Sequence, residues 1–327
     1  MKICTVHCQH SLGTQKNFGL LTEDNHFLHL QKVWELKFQK NQHLNPLHKA
    51  KHIIPDSLHN FLQRHENPLE VLQQSFDLWE DLHKSGDANE CKIPLNKELK
   101  LQAPLDKIST YRDFYAHEKH VAKGFKKRNE PIPEAWYEIP AYYKGGTLGF
   151  IGPDQEVLWP SYSKKLDFEL ELGVVMARGG INISAQNATK HILGFTILND
   201  ISARDIQKKE MSIRLGPAKG KDFCSVIGPV ITTMDEFNFK EPDLLMLARI
   251  NGEEWSRGQS ADAHYTFSQM IEHAAKDEWL APGDFMGSGT VGTGCGLELD
   301  KWIQPGDEIE LEIENIGILK NRIGSHD

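Results

Sequence analysis

Residues 166–175, LDFELELGVV, constrain this chain more tightly than any other stretch. Leu166, Phe168, Leu170 and Leu172 alternate with Asp167, Glu169 and Glu171. A period of two belongs to a β-strand, whose successive side chains point to opposite faces, so the three acids share one face and the four apolar groups the other. Alternation of this kind ordinarily marks a half-buried strand with one wet side, and that is the expectation it carries alone. Three neighbouring carboxylates repel one another, however, and a hard divalent cation such as Mg²⁺ or Ca²⁺, which takes oxygen ligands, would relieve the repulsion.

Two further stretches carry acids that could join them. In residues 194–207, GFTILNDISARDIQ, an apolar strand ends at Asn199 and Asp200, and Ser202 with Asp205 has the spacing of a helix start. Arg204 and Gln207 stand three apart on one face of that helix, which suits a clamp for an anion or a carbonyl and equally suits an ordinary surface. In residues 112–124, RDFYAHEKHVAKG, a helix would place Asp113 and His120 two turns apart, facing one cavity. A histidine titrates where a general base must, although the chain holds 16 of them.

The rest of the chain supplies scaffolding and exclusions. Residues 1–6 and 18–30 read as a strand and a hairpin turning at Glu23-Asp24-Asn25, and Leu69, Leu72, Phe76, Trp79 and Leu82 recur at helical spacing over 69–83. The strand pattern at 97–104 hands over to a Gly-rich, strand-rich region, so the expected division is a small N-terminal domain, 1–104, and a larger second domain, 105–327. Residues 131–146, with three prolines and a closing Gly-Gly, read as a long irregular loop, a candidate lid. Gly287-Ser288-Gly289-Thr290-Val291-Gly292 matches a dinucleotide fingerprint in form, but no helical pattern follows; a turn letting backbone approach a ligand fits better. Cys4, His7, Cys8 and His10 crowd together without a second ligand pair at zinc-finger spacing, and five scattered cysteines with no CxxC suit a cytoplasmic chain with free thiols. A net charge of −9 without basic stripes gives no footprint for nucleic acid, and no apolar run approaches the roughly 18 residues that span a bilayer.

Taken in order, RDFY…H, DFELELG, NDISARDIQ, LGPAKGKDF, SGTVGTG and ENIGILKNRI resemble the fumarylacetoacetase (fumarylacetoacetate hydrolase) family over about residues 105–320. The resemblance implies a mixed α/β, strand-dominated fold: a β-roll or barrel catalytic domain behind a small β-rich N-terminal domain, assembled as a homodimer. It implies Asp113, Glu169, Glu171 and Asp200 as ligands of Mg²⁺, or of Ca²⁺ or Mn²⁺, with no ligand role for Asp167. It also implies His120 as the base, Glu298 as the carboxylate that orients it, and Arg204, Gln207 and Lys221 as oxyanion and substrate contacts. Tyr115 and Thr290 match substrate-binding positions, while the family's tyrosine near residue 211 is here Met211 and its lid arginine falls out of register near Arg128. The expected activity is hydrolysis of a carbon–carbon bond in a small anionic diketo acid, as in aromatic catabolism. The alternative within the family is a metal-dependent decarboxylase or isomerase of a 2-oxo acid.

Overall fold

The computed structural model describes residues 1–10, 13–96 and 98–325, with backbone alone at 8–10 and 13–15. The side chains of Cys8 and His10 therefore lie outside the described residues. The larger of two main sheets runs in the order Lys92–Pro94, His26–Leu28, Gly13–Leu21, Lys2–His10, Ser225–Thr233, Ile192–Asn199, Leu170–Met176, Phe285–Gly287, Tyr111–Phe114, Tyr142–Gly145. A second sheet of five strands runs Glu253–Gln259, Leu245–Ile250, Glu308–Ile313, Gly317–Ile323, Glu156–Val157. The architecture is the strand-dominated α/β roll expected from the sequence.

Consecutive residues of the central strands enter different cores. Val174, Ile197 and Val230 pack with Met246, Ala248, Leu311 and Ile313 of the five-stranded sheet. Their neighbours Val175, Leu198 and Ile231 join Phe61, Leu62, Leu72 and Trp79 of the helices Leu58–Arg64 and Pro68–Lys84. Both faces of the large sheet are thus covered, which is why its central strands read as nearly continuous apolar runs. No helix among the described residues is long and apolar enough to cross a membrane.

Four local expectations change. The wet side of residues 166–175 does not exist, because every residue there is buried between the two layers. That stretch is also broken: Leu166–Asp167 pairs with Ser202–Ala203 in a ladder of its own, Leu170–Met176 belongs to the large sheet, and Glu169 between them bridges to Cys295. Asp113 and His120 are not on one helix. Asp113 lies in the strand Tyr111–Phe114 and His120 in the helix Glu118–Lys127, since strand pairing on both sides holds residues 111–114 extended. Residues 131–146 contain a helical turn, Ala135–Glu138, and the edge strand Tyr142–Gly145. Finally, the helix Arg204–Ser212 has Ala203 at its N-cap, and the Ser202 hydroxyl donates to the Asp200 carbonyl, 3.0 Å, so it caps nothing.

Strands on the two sides of the expected 104/105 boundary share one sheet. Lys2 and Ile3 pair with Thr232 and Ile231, so the N-terminal strands extend the ladder of the C-terminal part.

Candidate active site

Four acids converge where three strands end. The strands Leu170–Met176 and Ile192–Asn199 pair with Leu170 opposite Asn199, which brings Glu169 beside Asp200; the Asp200 N–H donates to the Glu169 carbonyl, and the Glu169 N–H to Asn199 Oδ1, at 3.3 and 3.1 Å. Asp113 arrives from the far side, because Gly287 pairs with Gly173 on one edge and with Asp113 on the other. Carboxylate oxygens of Asp113, Glu169, Glu171 and Asp200 all lie within 4.8 Å of one another, and all four side chains are buried.

Their charges are compensated unequally. Lys221 Nζ stands 2.5 Å from both Glu169 Oε2 and Asp200 Oδ2, and Arg204 Nη2 stands 2.7 Å from Glu169 Oε1. Burial alone would push Glu169 upward, but these two cations outweigh it and hold its carboxyl down to about 2. The same acids raise Lys221 despite its burial. Among the described residues no cation is in ion-pair contact with Asp113 or Glu171, and Lys221 acts on Asp113 only from a distance. Burial first, and then Asp200 for Asp113 and Asp113 for Glu171, lift both far above the usual carboxylate range. Two carboxyls this close cannot both ionise without a further positive charge.

The residues fit a hard divalent cation. Asp113 Oδ1 is buried and accepts no hydrogen bond, an orphaned acceptor aimed into the cluster. The donor set is all oxygen, as such ions require. Gly287 leaves the room: a Cβ there would stand 2.4 Å from Asp113 Oδ1 and 2.8 Å from Glu171 Oε2.

Beside the cluster, His120 Nδ1 lies 2.6 Å from Glu298 Oε1, with both side chains buried. The second oxygen of Glu298 accepts from the Thr293 N–H at 3.0 Å, which fixes the carboxylate. Because Nδ1–H donates to Glu298, Nε2 of the neutral ring is left as the acceptor. Lys127, at the far end of the histidine's helix, donates to the Leu297 carbonyl at 2.6 Å and so ties helix to turn. The Tyr115 ring stands edge-on to His120 with centroids 5.3 Å apart, and burial pushes its hydroxyl up to about 12.

Other expected contacts lie close by. Arg204 Nη1 donates to Gln207 Oε1, 3.0 Å, on the inner face of their helix. Thr290 Oγ1, matched to a substrate position, donates instead to Glu171 Oε1 at 3.3 Å, and the Gly289 N–H donates to Oε2 at 3.0 Å. Met211 is 52% exposed on the outer part of the Arg204 helix, and Arg128 pairs with Glu130 at 3.2 Å.

Two supporting residues, Tyr143 and Ser225, escaped the sequence reading, and a third, Asp167, was named there without a role. Tyr143 donates from its hydroxyl to Asp200 Oδ2 at 2.8 Å, and Ser225 to Asp200 Oδ1 at 3.1 Å. Asp167 accepts from Arg204 Nε at 2.8 Å and from the N–H groups of Gly296 and Leu297 at 2.7 and 2.9 Å. It thereby joins the clamp to the turn that carries Glu298. Tyr143 pairs directly across from Asp113, so a strand assigned to 142–145 would have placed it on the acid's face.

A strand-rich roll that sinks four carboxylates beside a histidine–glutamate pair defines a class of proteins built around a divalent cation. The chain belongs to the fumarylacetoacetate hydrolase family: the model named "Fumarylacetoacetate (FAA) hydrolase C-terminal" matches residues 109–324. It is similar to the oxaloacetate tautomerase YisK of Bacillus subtilis, with 37% identity over 237 residues, 69% of this chain and 74% of the relative. The fumarylacetoacetate hydrolase of Exiguobacterium antarcticum shares the fold over 100% of both chains, at a TM-score of 0.73 and 21% identity. The fumarylpyruvate hydrolase of Pseudomonas aeruginosa, solved with Mn²⁺ and pyruvate, shares it over 67% of this chain and 91% of its own, at a TM-score of 0.58 and 18% identity.

Proposed function

We propose that this protein is a divalent-metal-dependent hydrolase that cleaves a carbon–carbon bond in a diketo acid of the fumarylacetoacetate or acylpyruvate type. The observation that carries this reading is the buried His120–Glu298 pair, 2.6 Å apart, beside the acid cluster. Asp113, Glu169, Glu171 and Asp200 would hold Mg²⁺, or Ca²⁺ or Mn²⁺. The bound ion would polarise the 2-oxo carbonyl and offset enolate charge. The pyruvate bound with Mn²⁺ in the Pseudomonas relative is itself a 2-oxo acid, which supports this substrate class.

His120 Nε2 takes a proton from water, and Glu298 stabilises the imidazolium so formed. The hydroxide adds to the distal carbonyl carbon, where Arg204, Gln207 and Lys221 face the developing alkoxide; one such donor is worth about 3 kcal/mol in comparable sites. Tyr115 and Thr290 line the substrate's approach. Collapse of the adduct breaks the carbon–carbon bond, one fragment leaving as a carboxylic acid and the other as an enolate. His120 then returns its proton to the enolate carbon.

A second reading, tautomerisation or decarboxylation of a 2-oxo acid, is favoured by the 37% identity to an oxaloacetate tautomerase. It needs the cation and a proton donor but no activated water. Products from fumarylacetoacetate, acylpyruvates and oxaloacetate, each with and without Mg²⁺, separate the two. A cleaved acid pair supports hydrolysis; released CO₂, or keto–enol exchange with no cleavage, would overturn it for the second reading.

A further inference from the structure

A third donor, which the proposed reaction does not use, lies against the His120–Glu298 pair. Cys295 Sγ stands 3.7 Å from Glu298 Oε1 and 4.0 Å from His120 Nδ1, and those two atoms are 2.6 Å apart. All three side chains are buried. One imidazole nitrogen, one sulfur and one carboxylate oxygen make the mixed donor set that zinc takes, unlike the all-oxygen set of the four acids.

The separations suit an ion. The circle through three points spaced 2.6, 3.7 and 4.0 Å has a radius of about 2.1 Å, which is a Zn–N or Zn–O bond length. A shift of about 0.2 Å within that plane, away from the sulfur, reaches the ~2.3 Å of a Zn–S bond. The His–Glu separation must open toward the ~3.3 Å of two ligands around a tetrahedral ion, which is the expected response when a metal replaces a shared proton. The frame is already fixed, since Cys295 bridges through its backbone to Glu169 and Glu298 follows in the turn Gly296–Leu299.

We propose that His120, Cys295 and Glu298 form a second metal site, distinct from the four-acid cluster, that takes Zn²⁺ and thereby shuts the enzyme off. Water completes the ion's coordination. The thiol proton leaves to solvent, while the imidazole stays neutral by giving up its Nδ1 proton and taking one at Nε2, so the ion binds through Nδ1 and the nitrogen that served as base is already protonated. Cations of different softness then act in opposition, the hard ion at the oxygen cluster enabling turnover and the softer one at the nitrogen–sulfur–oxygen triangle stopping it.

The test loads the full-length protein with excess Mg²⁺ and titrates it with Co²⁺, a coloured stand-in for zinc. The expected result is a near-ultraviolet thiolate-to-Co²⁺ absorption saturating at one ion per chain, unchanged in Cys224→Ala and lost in both Cys295→Ala and Cys295→Ser. In turnover assays the Cys295 variants keep their Mg²⁺-supported rate and need about tenfold more zinc, or beyond, for half-inhibition. The near-isosteric serine variant serves if the alanine variant does not fold. Absence of the band in the wild-type protein, its survival in the Cys295 variants, or zinc inhibition equally strong in wild type and variants overturns the proposal. Only the inhibition rests on His120 being the base. A Cys295-dependent band without inhibition supports the metal site and overturns the assignment of His120.

Discussion

Gly287 stands directly opposite Asp113 in a parallel strand pair, and a Cβ on it would lie 2.4 Å from the Asp113 carboxylate. The absent side chain is what lets Asp113 and Glu171 approach each other. Gly287→Ala is therefore expected to weaken Mg²⁺ or Mn²⁺ binding by about 10- to 100-fold in calorimetry while far-ultraviolet dichroism holds. Unchanged affinity would remove Asp113 and Glu171 from the ligand set.

Lys221 offers a test of charge compensation. Its removal leaves Glu169 and Asp200 buried with one cation fewer, a change that typically costs about 3–5 kcal/mol. Denaturant unfolding of Lys221→Met should show a loss of that order with chelator and a smaller one with saturating Mn²⁺. Equal losses in the two conditions would mean that no ion binds at these acids.

Stability should depend on pH in a direction set by the uncompensated pair. Asp113 and Glu171 are raised, so the folded protein keeps protons that the unfolded chain releases near its ordinary carboxylate values. The stabilisation from these protons is complete below those values and is lost as pH rises through the folded ones, so metal-free protein should weaken as pH rises above the ordinary carboxylate range. Glu169, held down to about 2, acts oppositely: its contribution is present above its unfolded value and lost as pH falls toward the folded one. Thermal melts across pH with and without Mn²⁺ check this, and a metal-free melting temperature that climbs from pH 5 to 8 would contradict it.

The dyad makes a kinetic prediction. His120→Ala should lower hydrolytic turnover by about 10²- to 10⁴-fold, the usual worth of a positioned base. Glu298→Gln should lower it less, since the amide still holds the ring but no longer offsets imidazolium charge. If both variants cleave substrate at the wild-type rate, the base lies elsewhere.

The acids and the dyad could be named from the sequence because RDFY…H, DFELELG, NDISARD and GLEL stand in the order that the family resemblance requires. Their surroundings were less so. Alternation at 166–175 suggested a wet face, yet a strand inside a sheet covered on both sides shows the same pattern when its polar groups face a buried site. The two-turn spacing of Asp113 and His120 fits a helix equally well, and only long-range pairing with residues 285–287 makes the first half a strand. Tyr143 and Ser225 were missed because each reaches Asp200 through sheet register, which no local period reveals.

The strand Ser225–Thr233 has a double allegiance. Its first residue supports Asp200, and its last turns of ladder are zipped to Lys2 and Ile3. A chain trimmed to residues 105–327 would retain every acid, the histidine and its glutamate, and Phe150–Ile151 would still cover the start of that strand, but the part paired with Lys2 and Ile3 would become a raw edge, its N–H and C=O groups open to any passing strand. The first hundred residues, which carry none of the proposed chemistry, thus cover an edge of the sheet that does.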